Sequence, residues 1–216
     1  MRYSVLAALL IALLTACSTT ARPTVDYEVG EVIYQNTFND PDSWTTFGFS
    51  QSQFGISDGT YNAISAGGGI VAVTNFHTHS NAVLEVTAEQ ISAFDDTGYG
   101  IICRAQSAQN AVGYYFLLSG SGRYGIRIGE EERVRVLVPW TDHPAINKGR
   151  ATNRIRAVCI DDYFALYIND QFIAEARHDW LEAGLMGLAV TSNEGTEIGV
   201  VFDDVTIWQA ELTADD

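Results

Sequence analysis

The chain carries very little positive charge. Lysine and arginine together number 12 among 216 residues, against 27 aspartates and glutamates, which gives a formal net charge of −15. Such a surface repels the phosphates of nucleic acids along most of its extent, so the composition argues against a nucleic-acid partner. An acidic surface keeps a protein soluble but carries no information about its fold.

The sequence also lacks the motifs of several enzyme classes. It has no serine nucleophile elbow and no paired cysteine and histidine nucleophile. The three glycines at residues 67–69 are not followed by the helix and lysine that phosphate binding requires. His77 and His79 would supply two nitrogen ligands, fewer than zinc needs, and we interpret them as exposed loop residues.

The N-terminal segment has the features of an export signal. Arg2 supplies a positive charge, and the unbroken apolar run at residues 5–14 is too short to cross a bilayer, for which about 20 residues are needed. We therefore predict a signal peptide at residues 1–16. The Leu-Thr-Ala-Cys sequence that ends at Cys17 resembles the bacterial lipobox. This resemblance implies that Cys17 is acylated and anchors the protein outside the cytoplasm, on the cell membrane or the outer membrane. An ordinary secretory signal with an incidental cysteine is the alternative.

Two further cysteines remain once Cys17 is set aside. An even number of remaining cysteines in an exported chain predicts one disulfide, between Cys103 and Cys159. Closing a loop of this size would stabilise the fold by about 4 kcal/mol in the chain-entropy model. Two buried free thiols are the alternative.

Alternating residues at 153–169 predict the central hairpin of an antiparallel sheet, with its turn at Asp161 and Asp162. A two-stranded ribbon is not stable alone, so further strands must cover its apolar face. Strand-like runs recur roughly every eight to twelve residues, a spacing typical of sandwiches and barrels. The residues expected on the buried face of the hairpin are Ile155, Ala157, Cys159, Phe164, Leu166 and Ile168.

Four segments are predicted along the chain. They are the signal peptide, the lipidated cysteine with a flexible tether at residues 17–30, one β-sandwich at residues 31–210, and an acidic tail at residues 211–216. The tether is rich in serine, threonine, proline and acidic residues and has no apolar period. A single domain of this length is ordinary for a sandwich fold.

Six short motifs follow one another in a recognisable order. They are Gly-Ile-Ile-Cys-Arg at 100–104, Gly-Tyr-Tyr-Phe at 113–116, Asn-Arg-Ile-Arg at 153–156, Leu-Tyr-Ile-Asn-Asp at 166–170, Gly-Leu-Met-Gly-Leu at 184–188 and Val-Phe-Asp-Asp-Val at 201–205. In this order they resemble the concanavalin A-like jelly roll of extracellular bacterial proteins, in its laminin-G-like and 3-keto-disaccharide hydrolase branch. The resemblance implies an all-β fold, an antiparallel two-sheet jelly-roll sandwich. Each motif reflects the needs of strands and turns, so it specifies fold better than activity.

The resemblance raises the question of glycoside hydrolysis. Family 16 glycoside hydrolases of this fold carry a strand of the form Glu-x-Asp-x-x-Glu, which places the catalytic carboxylates on one face. In the comparable strand here Glu85 is followed by Thr87 where the aspartate belongs, and Glu89 lies one residue short of the second glutamate's spacing. We therefore expect no catalysis of this kind.

Two groups of residues are candidates for binding carbohydrate. Glu85, Arg104 and Arg156 would form the floor of a concave sheet face, and a cross-strand charge ladder on a solvated face is the alternative. The second group is a proline-bracketed loop with Trp140, Asp142 and His143, where the indole ring would stack on a sugar. Further aromatic candidates near strand ends are Trp44, Tyr99, Tyr115 and Trp180. Trp208 is expected in core or edge packing, by its alternation with Val205 and Ile207.

Acidic residues at the two ends of the domain suggest a structural calcium ion. Asn39 and Asp40 open the domain, and Asp203 and Asp204 close it. In related jelly rolls the first and last strands pair, and carboxylates with turn carbonyls supply the oxygens that calcium prefers. An Asx-rich turn is the alternative interpretation of the first pair.

The sequence therefore favours a membrane-anchored extracytoplasmic lipoprotein whose sandwich binds carbohydrate, or serves adhesion, without catalysis. Two alternatives stay open: a glycoside-processing hydrolase of the 3-keto-disaccharide hydrolase type, and a structural or protein-binding module of the cell envelope. The expected partners are the membrane, through the lipid anchor, and a carbohydrate or an envelope protein.

Overall fold

A computed structural model describes residues 21–213, apart from residues 50, 94, 108–111 and 132 and the side chains of residues 75 and 76. The predicted signal peptide, Cys17 and the last residues of the acidic tail lie outside this part of the chain. No helix within it is long and apolar enough to span a membrane.

The described residues form thirteen strands, and every pairing between them is antiparallel. The strands are β1 (Tyr27–Asn36), β2 (Phe47–Phe49), β3 (Ser52–Ser57), β4 (Thr60–His79), β5 (Ala82–Gln90), β6 (Gly98–Ala105), β7 (Gly113–Ser119), β8 (Arg123–Glu130), β9 (Arg133–Asp142), β10 (Thr152–Ile160), β11 (Tyr163–Ile168), β12 (Gln171–Arg177) and β13 (Gly184–Leu212). Their main order in space is β12-β11-β10-β5-β13-β6-β7-β8-β9.

The strands form two layers because the long strand β13 takes part in both. Its second half pairs with β5 on one side and with β1 on the other, and its first half pairs with β6. We call the layer of β1, β5, β10–β12 and the second half of β13 the β10 layer. The layer of β6–β9 and the first half of β13 is the β7 layer. This is the expected antiparallel jelly-roll sandwich.

The hydrophobic core lies between the two layers. All six residues expected on the buried face of the β10–β11 hairpin are at most 1% exposed and belong to this core. Burying each large aliphatic or aromatic side chain stabilises the fold by about 1.5–3 kcal/mol. The residues that face them from the β7 layer include Ile101, Tyr114, Phe116, Ile126, Leu188 and Val190.

Cys103 of β6 and Cys159 of β10 form a disulfide with an S–S distance of 2.08 Å. The prediction of this disulfide is confirmed. Because β6 and β10 belong to different layers, the bond links the two layers through the core.

The first strand begins earlier than the sequence predicts. Residues from Tyr27 onward were expected in the flexible tether, but Tyr27 pairs with Leu212 and Val29 pairs with Ala210 of β13. The Tyr27 ring also packs edge to face on Tyr167, with ring centroids 6.3 Å apart. The pairing partner lies nearly two hundred residues away, so local composition gives no sign of it.

Trp208 lies on the outer face of the β10 layer, not in the core. Val205 and Ile207 point inward and are fully buried, and the next side chain along an extended strand points to the opposite face. Trp208 accordingly packs, half-buried, against a separate apolar cluster on the outer face that includes Val83 and Val158. Trp208 therefore has a packing role, as expected, but on the face opposite to Val205 and Ile207.

Candidate functional site

Glu85 and Arg156 are direct cross-strand neighbours on the outer face of the β10 layer. Arg156 donates hydrogen bonds to the Glu85 carboxylate at 2.8 and 2.7 Å, and the Arg154 guanidinium lies 3.9 Å from the same carboxylate. Burial acts to lower the pKa of Arg156, but the charge and hydrogen bond of Glu85, together with Tyr27, outweigh it and raise that pKa. The arrangement is a cross-strand charge ladder, the alternative to a sugar-binding floor.

Arg104 does not join this ladder, which corrects the predicted three-residue floor. The pairing of β6 with β13 shifts register beside it, and its φ of 53° turns the side chain out of the strand alternation. The side chain is 1% exposed. Its guanidinium donates to the backbone carbonyls of Ser80, Asp161 and Leu181, at 3.0, 2.6 and 2.6 Å. Burial lowers the pKa of Arg104.

Trp140 is half-buried on β9 and its ring is covered by two cations. The guanidinium carbons of Arg127 and Arg123 lie 5.2 and 5.9 Å from the ring centroid. Asp142 is the register partner of Arg123, and the His143 ring packs against Tyr124. Trp140 and Asp142 thus lie on β9, and His143 directly follows it. The indole ring of Trp140 is occupied by contacts within the protein.

The residues of the predicted calcium site make local turn contacts. The first and last strands pair as expected, but Asp40 caps its own turn by accepting a hydrogen bond from the Asp42 amide at 3.0 Å. Asp204 has a φ of 54° at a register shift of β13, and its amide donates to the Asp203 carboxylate at 2.8 Å. The Asn39 side chain donates to Thr37.

Within the described ranges, no three histidine, cysteine, aspartate or glutamate side chains come together to hold a metal ion. The arrangement therefore gives the calcium prediction no support. His77 and His79 lie in β4 rather than in a loop, and burial lowers the pKa of His79.

Trp180 is the tryptophan with the most accessible ring. It is 48% exposed, whereas Trp44 is buried and Trp140 and Trp208 are half-buried. It lies in the connection between β12 and β13, beside a surface cavity of about 640 Å³. The side chains that line this cavity are Gln106, Val112, Glu130, Glu131, Arg133, Trp180 and Leu181.

Hydrogen bonds with Arg104, Gln106 and Tyr114 hold the loop that carries Trp180. Leu181 accepts from Arg104 through its carbonyl, and its amide donates to the Tyr114 hydroxyl at 3.3 Å. Gln106 donates to the carbonyl of Ala183 at 2.9 Å, and Tyr114 bonds the Nδ1 of His178 at 2.8 Å. A loop fixed in this way loses little conformational entropy when a ligand binds.

The polar side chains that line the cavity are those of Glu130, Glu131, Arg133 and Gln106. Glu130 contacts Arg133, and its second oxygen lies 3.3 Å from Arg135. The hydrogen bond from Arg133 lowers the pKa of Glu130, so the carboxylate is ionised at neutral pH. An exposed aromatic ring can pack on the apolar face of a sugar, and charged donors and acceptors beside it can bond the sugar's hydroxyl groups.

A second cavity, of about 430 Å³, lies on the other side of Leu181. It is lined by Ser80, Asn81, Asp161, Asp162, Asp179, Leu181 and Glu182. Its carboxylates make this end of the sandwich strongly acidic, which disfavours an anionic ligand nearby.

The fold and its two layers define the class: the chain adopts the concanavalin A-like jelly roll. Among solved structures, the carbohydrate-binding module CBM66 from Bacillus subtilis has a TM-score of 0.55 and 17% identity, over 81% of this chain and 95% of that one. A Bacillus subtilis protein of unknown function with a galectin-like fold has a TM-score of 0.62 and 13% identity, over 86% and 99%.

A β-1,3-1,4-glucanase (lichenase) derived from a mouse hindgut metagenome has a TM-score of 0.61 and 10% identity, over 82% of this chain and 98% of that one. No protein-family model matches the sequence. No curated protein is similar to it in sequence. At these identities the likeness establishes the fold.

Proposed function

We propose that the protein is a lipid-anchored extracytoplasmic lipoprotein whose sandwich binds carbohydrate without catalysis, at the Trp180 cavity. The observation that carries the proposal is the exposed indole ring of Trp180 beside the cavity, on a loop that Arg104 and Tyr114 hold in place. That CBM66 is a carbohydrate-binding module and the lichenase a glucanase supports a ligand of this class.

The chemistry of the cavity suits a neutral sugar. The apolar face of a pyranose would pack on the Trp180 ring, and Glu130, Arg133 and Gln106 would exchange hydrogen bonds with its hydroxyl groups. The neighbouring acidic cavity and the formal charge of −15 would repel uronic acids and sulfated sugars. A neutral glycan is therefore the expected ligand class.

The positions of the carboxylates support the absence of catalysis on the predicted strand. In the family 16 strand Glu-x-Asp-x-x-Glu the carboxylates lie on one face. On β5 Thr87 stands where the aspartate belongs, and Glu89 lies one residue short of the second glutamate's spacing. Glu85 is also engaged by Arg156 and Arg154. This strand therefore lacks the carboxylate set that family 16 enzymes use.

The test is a glycan array followed by calorimetric titration of the best neutral oligosaccharide it reveals. We expect Trp180→Ala to weaken binding about fivefold or more, since stacking on an aromatic ring contributes about 1 kcal/mol or more. Trp140→Ala is the matched control, because the Trp140 ring is already covered by arginines. The thermal midpoint of each variant verifies that it is folded.

Retention of affinity in Trp180→Ala, with loss in Trp140→Ala, would move the site to β9. The bound oligosaccharide is also incubated with the protein and analysed for shorter products. Product formation would support the hydrolase alternative. An array with no neutral ligand would favour the structural or protein-binding alternative.

A further inference from the structure

The first strand carries an apolar stripe on the outer face of the β10 layer. Val29 is paired with Ala210, and Val32 is paired with Trp208. Residues directly opposite in an antiparallel pair point to the same face, so both valines lie on the face where Trp208 is half-buried. Val29 is 48% exposed and Val32 is 53% exposed. Val29 and Val32 are therefore exposed apolar side chains on the same face of one strand.

The chain is fixed to this same face a few residues before the stripe. The Thr24 amide donates to the Glu175 carboxylate of β12 at 2.9 Å. Val25 packs on the outer-face cluster, and the Thr213 amide donates to the carbonyl of Asp26 at 3.1 Å. The segment that the sequence predicts to be a flexible tether is therefore docked from Thr24 onward.

This docking leaves a short connection to the proposed anchor. Six residues lie between Cys17 and Thr24, so the two are seven positions apart. A fully extended chain spans at most about 3.3–3.6 Å per residue, so Thr24 stays within about 25 Å of an acylated Cys17. A tether of this length limits how far the face that carries Thr24 can move from the bilayer.

We propose that the stripe of Val29, Val32 and Trp208 docks on the surface of the bilayer that holds Cys17. The proposal rests on the acylation of Cys17 given under the proposed function. Tryptophan suits this position because its ring is apolar and its N–H group remains hydrated at the headgroup level. The valines add apolar area that would enter the interface.

The charged residues next to the stripe determine which membrane surface it favours. Glu28, Glu31 and Glu211 flank it and are exposed. These carboxylates would be repelled by anionic headgroups, so a zwitterionic surface is the favoured partner. The Trp180 cavity is built by other connections of the chain, before β7, before β9 and before β13, and none of them belongs to the stripe.

The test couples the chain, beginning at Cys17, to a maleimide lipid in phosphatidylcholine vesicles. Cys103 and Cys159 are disulfide-bonded, so Cys17 is the thiol that reacts. Brominated phosphatidylcholine then quenches tryptophans that lie at the bilayer. We expect the anchored chain to lose part of its emission, and Trp208→Phe to abolish the quenchable part. Trp180→Phe should leave that part unchanged.

A second pair of variants tests the stripe itself. Val32→Ser is expected to remove the quenching, whereas Val136→Ser on β9, at the same 53% exposure, should not. Quenching that persists in Trp208→Phe, or equal effects of the two serine variants, would overturn the proposal, as would an anchored chain with no quenching. Because the anchor is attached chemically, these outcomes do not depend on acylation in the cell.

Discussion

Arg104 has a backbone conformation and a burial that are both unfavourable for an arginine. A left-handed φ costs a residue with a side chain about 1–2 kcal/mol, and a guanidinium is costly to remove from water unless it is hydrogen-bonded. Arg104 has a φ of 53° and is 1% exposed. Its bonds to the carbonyls of three separate connections offset these costs, so the residue fastens the loops at one end of the sandwich.

Replacing Arg104 tests this role. Arg104→Met removes the donors to Ser80, Asp161 and Leu181 and leaves the buried carbonyl of Leu181 without its arginine partner. We expect the free energy of unfolding to fall by about 3 kcal/mol or more. Urea denaturation measures the change, and Arg150→Met, at an exposed position, is the control. Equal midpoints for the two variants would show that the buried guanidinium does not stabilise the loops.

At the level of strands, the sequence predicts what local alternation encodes. The β10–β11 hairpin was predicted with its correct buried face, because its apolar residues alternate without interruption. Arg104 was predicted in the wrong site, and the left-handed backbone of Asp204 was not predicted. Each residue lies at a register shift that no local sequence pattern indicates. β1 was missed in part because its partner in β13 is distant in sequence. Trp180 was named among other rings, but its exposure depends on loop contacts made by Arg104 and Tyr114.

The connection between β12 and β13 contains a pH-sensitive contact. Burial lowers the pKa of His178, and the nearby Arg135 lowers it further, whereas Asp179 and Glu130 act in the opposite direction. The pKa of His178 is lower in the folded state than in the unfolded state. His178 therefore contributes stability that is fully present above about pH 6.5. That stability is lost as the pH falls through the folded pKa. We expect the loop to loosen, and glycan affinity to decline, as the pH falls below about 6.5.

Titration of unfolding free energy and glycan affinity against pH measures this effect. His178→Gln keeps a hydrogen-bonding side chain without a proton to gain, so it should flatten both profiles over that range. The pKa of His79 is also lowered by burial, and any remaining slope in stability is assigned to it through His79→Gln. An unchanged affinity profile in His178→Gln would contradict the role of the loop histidine.

For the molecule as a whole, the decisive residue is Cys17, which lies outside the described part of the chain. Several acyl chains on one cysteine hold a protein at a membrane stably, since each buried methylene contributes about 0.8 kcal/mol. The two valines and Trp208 offer far less apolar area.

We therefore expect Cys17→Ser to release the protein from the membrane fraction, and the mass of the mature N-terminal peptide to show acylation in the parent chain. The double change of Cys103 and Cys159 to serine is the control and should stay membrane-bound. A parent chain with an unmodified Cys17 would remove both the anchor and the reason for the outer face of the β10 layer to meet a bilayer, while the Trp180 cavity would still be open to test in solution.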